Sequence, residues 1–152
     1  MTDLERAPLE AELRELETCL ETPFVPGELE RWMDEVRSAW ERLSPGFVDR
    51  FEREQPRICE QIAEDEPELL ERVEELRVHN GQVLAWHRDL DRRLAWLGER
   101  AARVEPDEKR LDDELEGLVQ DGLQFVIEAR TQEVSLRTWL LEAYQRETGP
   151  VD

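Results

Sequence analysis

The stretch Phe47-Val48-Asp49-Arg50-Phe51-Glu52-Arg53-Glu54-Gln55-Pro56-Arg57-Ile58 decides the reading of the chain. On a helix, Phe47, Arg50, Glu54 and Ile58 share one stripe, and it continues an apolar seam arriving from the preceding residues. Arg50 and Glu54 therefore point where core residues belong, and a buried charge must find a partner or destabilise the fold. Pro56 lacks a backbone donor, which predicts a bend near Glu52, one turn upstream.

Outward from this stretch, the second helix is expected from about Glu28 to Glu64, with Leu29, Met33, Val36, Trp40, Leu43 and Phe47 inward. Ser44-Pro45-Gly46 interrupts it and reads as a fresh N-cap followed by a first-turn proline, so a kink or break near Pro45 is expected. Before it lies a first helix, starting near Thr2 or Pro8, with Leu9, Leu13, Leu16 and Leu20 as its seam. It stops at Thr22-Pro23-Phe24-Val25-Pro26-Gly27. After it, Asp65 and Glu68 approximate a capping box for a third helix. That seam reads Leu69, Val73, Leu76, Asn80, Val83, His87, Leu90, Leu94 and Leu97, with Asn80 and His87 as polar inclusions. Gly81 in mid-helix predicts a closely packed neighbour, since glycine costs about 1 kcal/mol against alanine there. A break at Val104-Glu105-Pro106-Asp107 precedes the last helix, expected from about Glu108 to Glu147 and ended by Gly149-Pro150. Leu111, Leu115, Leu118, Gly122, Phe125, Ala129, Gln132, Leu136, Leu140 and Ala143 face inward, and Glu128 flanks them. Four amphipathic segments with short connections describe an all-α, up-down-up-down four-helix bundle, one domain over residues 1–152.

Composition agrees. Charged residues make up 39% of the chain, against only 7 glycines and 8 prolines, which favours long amphipathic helices over a loop-rich sheet. A net charge of −19 argues against nucleic-acid binding, because a polyanion is repelled. The acids alternate with arginines at helical spacing, the pattern of a solvated face rather than of a DNA mimic. The longest strictly apolar run, Phe125-Val126-Ile127, is far short of the roughly 20 residues of a membrane span, so no membrane role is expected. No charged-then-apolar leader precedes the acidic start, so no signal peptide is expected. Cys19 and Cys59, which are not in C-x-x-C spacing, suit a reducing cytoplasm and are expected to be unbonded.

Chemistry-bearing motifs are sparse. A di-iron site of the Glu-x-x-His type is excluded, because Leu76 stands three residues before His79 and Leu84 three before His87. Two histidines on one helix do not make a zinc site. Ser38, Ser44 and Ser135 lie in no nucleophile elbow, and no phosphate-binding loop is present. Enzymatic activity is not expected. His87 reads as a core-edge histidine with a hydrogen-bond partner and His79, off the seam, as surface.

The inward polar residues bring a resemblance into view. Leu-Glu-Ala-Glu-Leu-Arg-Glu-Leu (9–16), Arg50-Phe51-Glu52-Arg53-Glu54, Leu76-Arg77-Val78-His79-Asn80 and Glu128-Ala129-Arg130-Thr131-Gln132-Glu133 are similar in spacing to the ligand segments of the hemerythrin-like, or HHE cation-binding, family. That family is a four-helix bundle holding iron through histidines and glutamates. The resemblance places Leu13, Arg50, Asn80, Glu128 and Gln132 at ligand positions whose ligand type is lost, and Glu54 at one that is kept. It implies the fold without the iron chemistry. The expected function is a non-catalytic, metal-free bundle acting as a structural or protein-interaction module. In place of metal stands a polar cluster of Arg50, Glu54, Asn80, Glu128 and Gln132, with His87 as a further polar core member. In this cluster Glu54 and Glu128 face each other and Arg50 supplies the positive charge. The alternative is an iron, other metal or small-ligand binder using Glu54, Glu128, Asn80 and His87. The expected partner is a protein, a basic one complementing the net charge, and the oligomeric state is monomer or homodimer.

Overall fold

Helix is the only regular structure among residues 9–103 and 106–148, which a computed structural model describes, with side chains through 145. The elements are α1 (Glu10–Glu21), α2 (Leu29–Asp49), a π-helical turn (Arg50–Glu54), α3 (Gln55–Asp65), a short 3-10 turn (Pro67–Leu69), α4 (Leu70–Ala101) and α5 (Glu108–Thr148). Because α2, the π turn and α3 run on without interruption, the described residues form four helical rods that associate as a helical bundle. None of these helices is long and apolar enough to cross a membrane.

The expected seams supply the core. Leu13, Leu16 and Leu20 of α1 are buried, as are all nine positions of the stripe that begins at Leu69, in the 3-10 turn, and runs along α4 to Leu97. Polar ties fix the rods laterally. Arg130 of α5 reaches Glu10 at 3.2 Å and Glu17 at 2.7 Å on α1. Trp40 Nε1 of α2 donates to Asp91 of α4 at 2.8 Å, and Arg93 of α4 donates to Asp121 of α5 at 2.7 Å. In the α1–α2 connection Gly27 adopts φ 93°, a left-handed conformation that costs glycine little, and its N–H donates to Glu108 at the start of α5 at 3.0 Å. A Cβ on Gly122 would come within 2.8 Å of Leu20 Cδ1, and one on Gly98 within 2.6 Å of Arg37 Nη1.

Four local expectations need correction. Helix α2 continues through Pro45 without a break. Ser44 is not a cap, since its hydroxyl donates back to the Trp40 carbonyl at 2.8 Å. Asp65 is the last residue of α3 rather than the cap of the next helix, and no side-chain cap bond forms at the start of α4. A Cβ on Gly81 would meet nothing within 4 Å, so no close neighbour accounts for that glycine. The expected start of the first helix near Thr2 or Pro8, the break at Val104-Glu105 and the stop at Gly149-Pro150 involve residues outside the described ones.

A change of helix type lies further along, at Arg50–Glu54. The N–H of Gln55 bonds to the carbonyl of Arg50, five residues back rather than four. Pro56 has no N–H to continue this wider pattern, so the Phe51 carbonyl loses its helical donor. Asn80 of α4 fills the gap, its Nδ2 donating to that carbonyl at 2.9 Å. The wider turn also rotates the inner face. Beyond Phe47 the buried residues are Phe51, Gln55 and Cys59, while Arg50, Glu54 and Ile58 move to the edge of the seam.

This geometry ties Asn80 to Pro56. Asn80→Ala strands the buried Phe51 carbonyl and should lower unfolding stability by about 1–3 kcal/mol. In a Pro56→Ala background, where a backbone N–H is available to the same carbonyl, the cost should be smaller. Additive costs in a denaturation double-mutant cycle would break the link.

Candidate functional site

The apolar core is divided in two. One part includes Phe47, Phe51, Val83, Phe125 and Ala129, and the other Cys59, Ile62, Val73, Leu76 and Leu136. Between them on every contributing helix stand polar residues: Gln55 after Phe51, Asn80 between Leu76 and Val83, and Gln132 and Glu133 between Ala129 and Leu136.

Arg50 lies at the edge of this layer with 12% of its side chain exposed. Its Nε donates to Glu133 Oε1 at 2.9 Å and its Nη2 to Glu133 Oε2 at 3.0 Å, a forked pair. Its Nη1 donates to Glu54 at 3.0 Å. Burial works against the guanidinium's charge, and the bonds to Glu133 and Glu54 more than offset it, so its pKa lies above the ordinary arginine value. The π turn thus orients Arg50 toward α5, and Gln55, buried behind it, donates Nε2 to Glu133 Oε1 at 2.9 Å.

From Gln55 the network runs inward. Gln55 Oε1 accepts from Asn80 Nδ2 at 2.8 Å and from Gln132 Nε2 at 3.2 Å. Gln132 Nε2 also donates to the Leu76 carbonyl at 2.8 Å, so its Oε1 faces His79 Nδ1 at 2.7 Å. His79 Nε2 meets Glu128 Oε2 at 2.6 Å. Both imidazole nitrogens face acceptors, and His79 makes both bonds only as a double donor. The His79 bond, ahead of a lesser one from Gln124, holds the half-buried Glu128 carboxyl below its usual range.

Of the expected cluster, Arg50, Glu54, Asn80, Gln132 and Glu128 all join one connected network. The pairing differs, because the carboxylate across from Arg50 is Glu133 and not Glu128. Glu54 and Glu128 do not face each other across the core, since Glu54 bonds Arg50 and Glu128 bonds His79. His79 is a half-buried member rather than a surface residue, while Leu13 lies in the apolar core. Gln55 and Glu133 were missed, Gln55 because a regular helical period places it off the seam. Among the described residues no three His, Cys, Asp or Glu side chains gather as a metal-ligand group. A guanidinium has no lone pair to ligate with, so this donor set does not fit iron.

His87 stands apart from the network. Its ring stacks on Trp40 at 4.5 Å and on Phe47 at 4.7 Å between centroids. The Ser44 hydroxyl has its one hydrogen on the Trp40 carbonyl, so at 3.0 Å it accepts from His87 Nε2, which fixes the neutral Nε2–H tautomer. Burial pushes the His87 pKa down. A cavity of about 580 Å³ also lies elsewhere: Leu20, Phe24, Trp32, Leu115 and Val119 line it, with Glu21, Asp112 and Glu116 around them.

Two outcomes follow from the site. Arg50→Ala leaves Glu133 buried without its partner and should cost about 3–5 kcal/mol of stability, whereas an exposed pair is worth under about 1 kcal/mol. Glu133→Gln, which keeps an acceptor for Arg50, should cost less than Arg50→Ala, and equal small losses by chemical denaturation would contradict the network. For His87 the folded form binds the proton more weakly than the unfolded one. Its contribution is therefore complete above the unfolded pKa of about 6.5 and is lost as pH falls from there toward the depressed folded value. His87→Leu should flatten the fall in melting temperature across that window, and an unchanged pH slope would assign it to other groups.

Compared with known proteins, the chain matches no protein-family model, no curated protein and no solved structure.

Proposed function

We propose that the chain is a degenerate hemerythrin-like bundle, connected up-down-up-down and bent at Pro45, that works without metal or catalysis as a structural or protein-interaction module. The observation that supports this best is the Arg50–Glu133 pair with its Gln55 bond. At the level where the resembling family holds cations, a fixed guanidinium neutralises the inward carboxylates, and side-chain amides complete the hydrogen bonding. The short connections and the packing of α1 on α2 and of α4 on α5 support the up-down path. The Pro45 bend rests on the missing N–H within α2. Two unbonded cysteines, Cys19 and Cys59, fit a reducing cytoplasmic setting.

The rival reading, a metal or small-ligand binder, requires at least three ligands to converge. At the rim of the layer His79 and Glu128 already bond each other. Incubating the purified chain with ferrous iron, manganese or zinc, desalting it, and measuring metal by plasma mass spectrometry separates the two. Substoichiometric metal, with no rise in melting temperature, is the expected result. Stoichiometric metal that disappears in Glu128→Ala would establish the rival.

A further inference from the structure

Helix α5 carries a second seam on its outward face. Ile127, Thr131, Val134, Thr138 and Leu141 are exposed, at alternating spacings of four and three, and Gln124 and Gln145 extend the same line. Ile127 is 50%, Val134 61% and Leu141 45% exposed. The two threonine hydroxyls donate to their own helix, Thr131 to the Ile127 carbonyl at 2.8 Å and Thr138 to the Val134 carbonyl at 2.9 Å. Neither has a hydrogen left for water. In a chain that is 39% charged, this line carries no charge, although the first turns of the same helix are dense with Asp112, Asp113, Glu114 and Glu116. A period of 3.5 residues is the repeat by which two helices keep one seam in contact along their length.

We propose that the outward face of α5 is the contact surface for a second copy of this chain, the two α5 helices lying parallel. The charges beside the seam select both occupant and direction. One flank carries Glu128, Ser135 and Glu142, and the other Arg130, Arg137 and Tyr144. In a parallel pair, a residue on the second flank meets the residue five positions further along on the first flank of its partner. Arg137 then meets Glu142 of the other copy, twice by symmetry, while Arg130 stays on Glu10 and Glu17 and Glu128 on His79 within each copy. An antiparallel pair would set arginine against arginine and glutamate against glutamate, which is unfavourable. An uncharged stripe also lets two chains of net charge −19 meet without pressing acidic faces together. The proposal rests on the interaction-module reading, and its interchain pair, Arg137 with Glu142, lies outside the polar layer. Metal uptake would therefore sink that reading without moving the oligomeric state.

Sedimentation equilibrium of the full chain over a wide concentration range tests this, in salt of about 0.15 M, where repulsion is screened beyond roughly 8 Å. The expected result is a monomer–dimer equilibrium. Val134→Arg, at an exposed position, should weaken it by more than about tenfold with helicity and melting temperature unchanged, because two guanidiniums would meet at the seam. For direction, Ile127→Cys alone should oxidise to a covalent dimer linked through residue 127, identified by its linked peptide, with the unsubstituted chain as control. A monomer at every concentration, or an unaltered equilibrium in Val134→Arg, would overturn the contact. Linkage occurring only between Ile127→Cys and Leu141→Cys chains would overturn the parallel arrangement.

Discussion

Pro56 has no amide hydrogen, and the central layer of the bundle follows from that lack. In a regular helix a proline costs one bond and pushes the preceding turn aside. Here the preceding turn opens to π geometry, which brings Phe51, Gln55 and Cys59 under the bundle and leaves the Phe51 carbonyl to Asn80. Gln55 then lies where its amide joins Glu133 on one side to Asn80 and Gln132 on the other. The π turn and the polar layer are one feature, since each satisfies groups that the other exposes.

The layer makes electrostatic sense only as a set. Removing an ion pair from water costs several kcal/mol, and its Coulomb attraction recovers that only when the remaining donors and acceptors are met. Glu133 takes bonds from both ends of the Arg50 fork and from Gln55. Each amide in the chain of contacts is held in one orientation, so flipping any one breaks at least two bonds. Such a layer contributes little net stability against apolar residues of the same volume, yet it discriminates between registers. A one-turn slip of α5 against α3 would place Ala129 or Leu136 opposite Gln55.

Much of the fold was legible because its information is periodic. The seams of α1, α4 and α5 were read from spacing alone, and their residues are buried with few exceptions, Leu140 among them. The second helix was legible to Phe47 and then shifted, since a period of 3.6 places Arg50, Glu54 and Ile58 inward where the π turn places Phe51, Gln55 and Cys59. The sequence signal for that shift was Pro56 itself, which pointed to Glu52, inside the turn that opens. In the candidate site, Arg50 with Glu54, Asn80 and Gln132 were legible as polar residues on apolar seams. Glu133 was not, because it flanks a seam already filled by Gln132, and one residue of register decides which side chain Arg50 reaches. His79 was misread for a related reason: off-seam residues of α4 become half-buried where a neighbouring helix crowds that flank.

The outer line of α5 lies outside a single-seam pattern. One seam per helix accounts for the inner apolar residues and leaves Ile127, Val134 and Leu141 on the other face. Burial separates the two lines. The inner one, from Leu111 to Ala143, is needed by the bundle and is covered by it, while the outer one is needed by nothing in a single copy. Single exposed apolar residues are ordinary on protein surfaces, but three at seven-residue intervals, separated by threonines whose hydroxyls turn back to the backbone, form a continuous surface of low polarity. In so acidic a chain, an uncharged line about 30 Å long, by the rise of 1.5 Å per residue, is a departure from composition that solubility alone would have opposed.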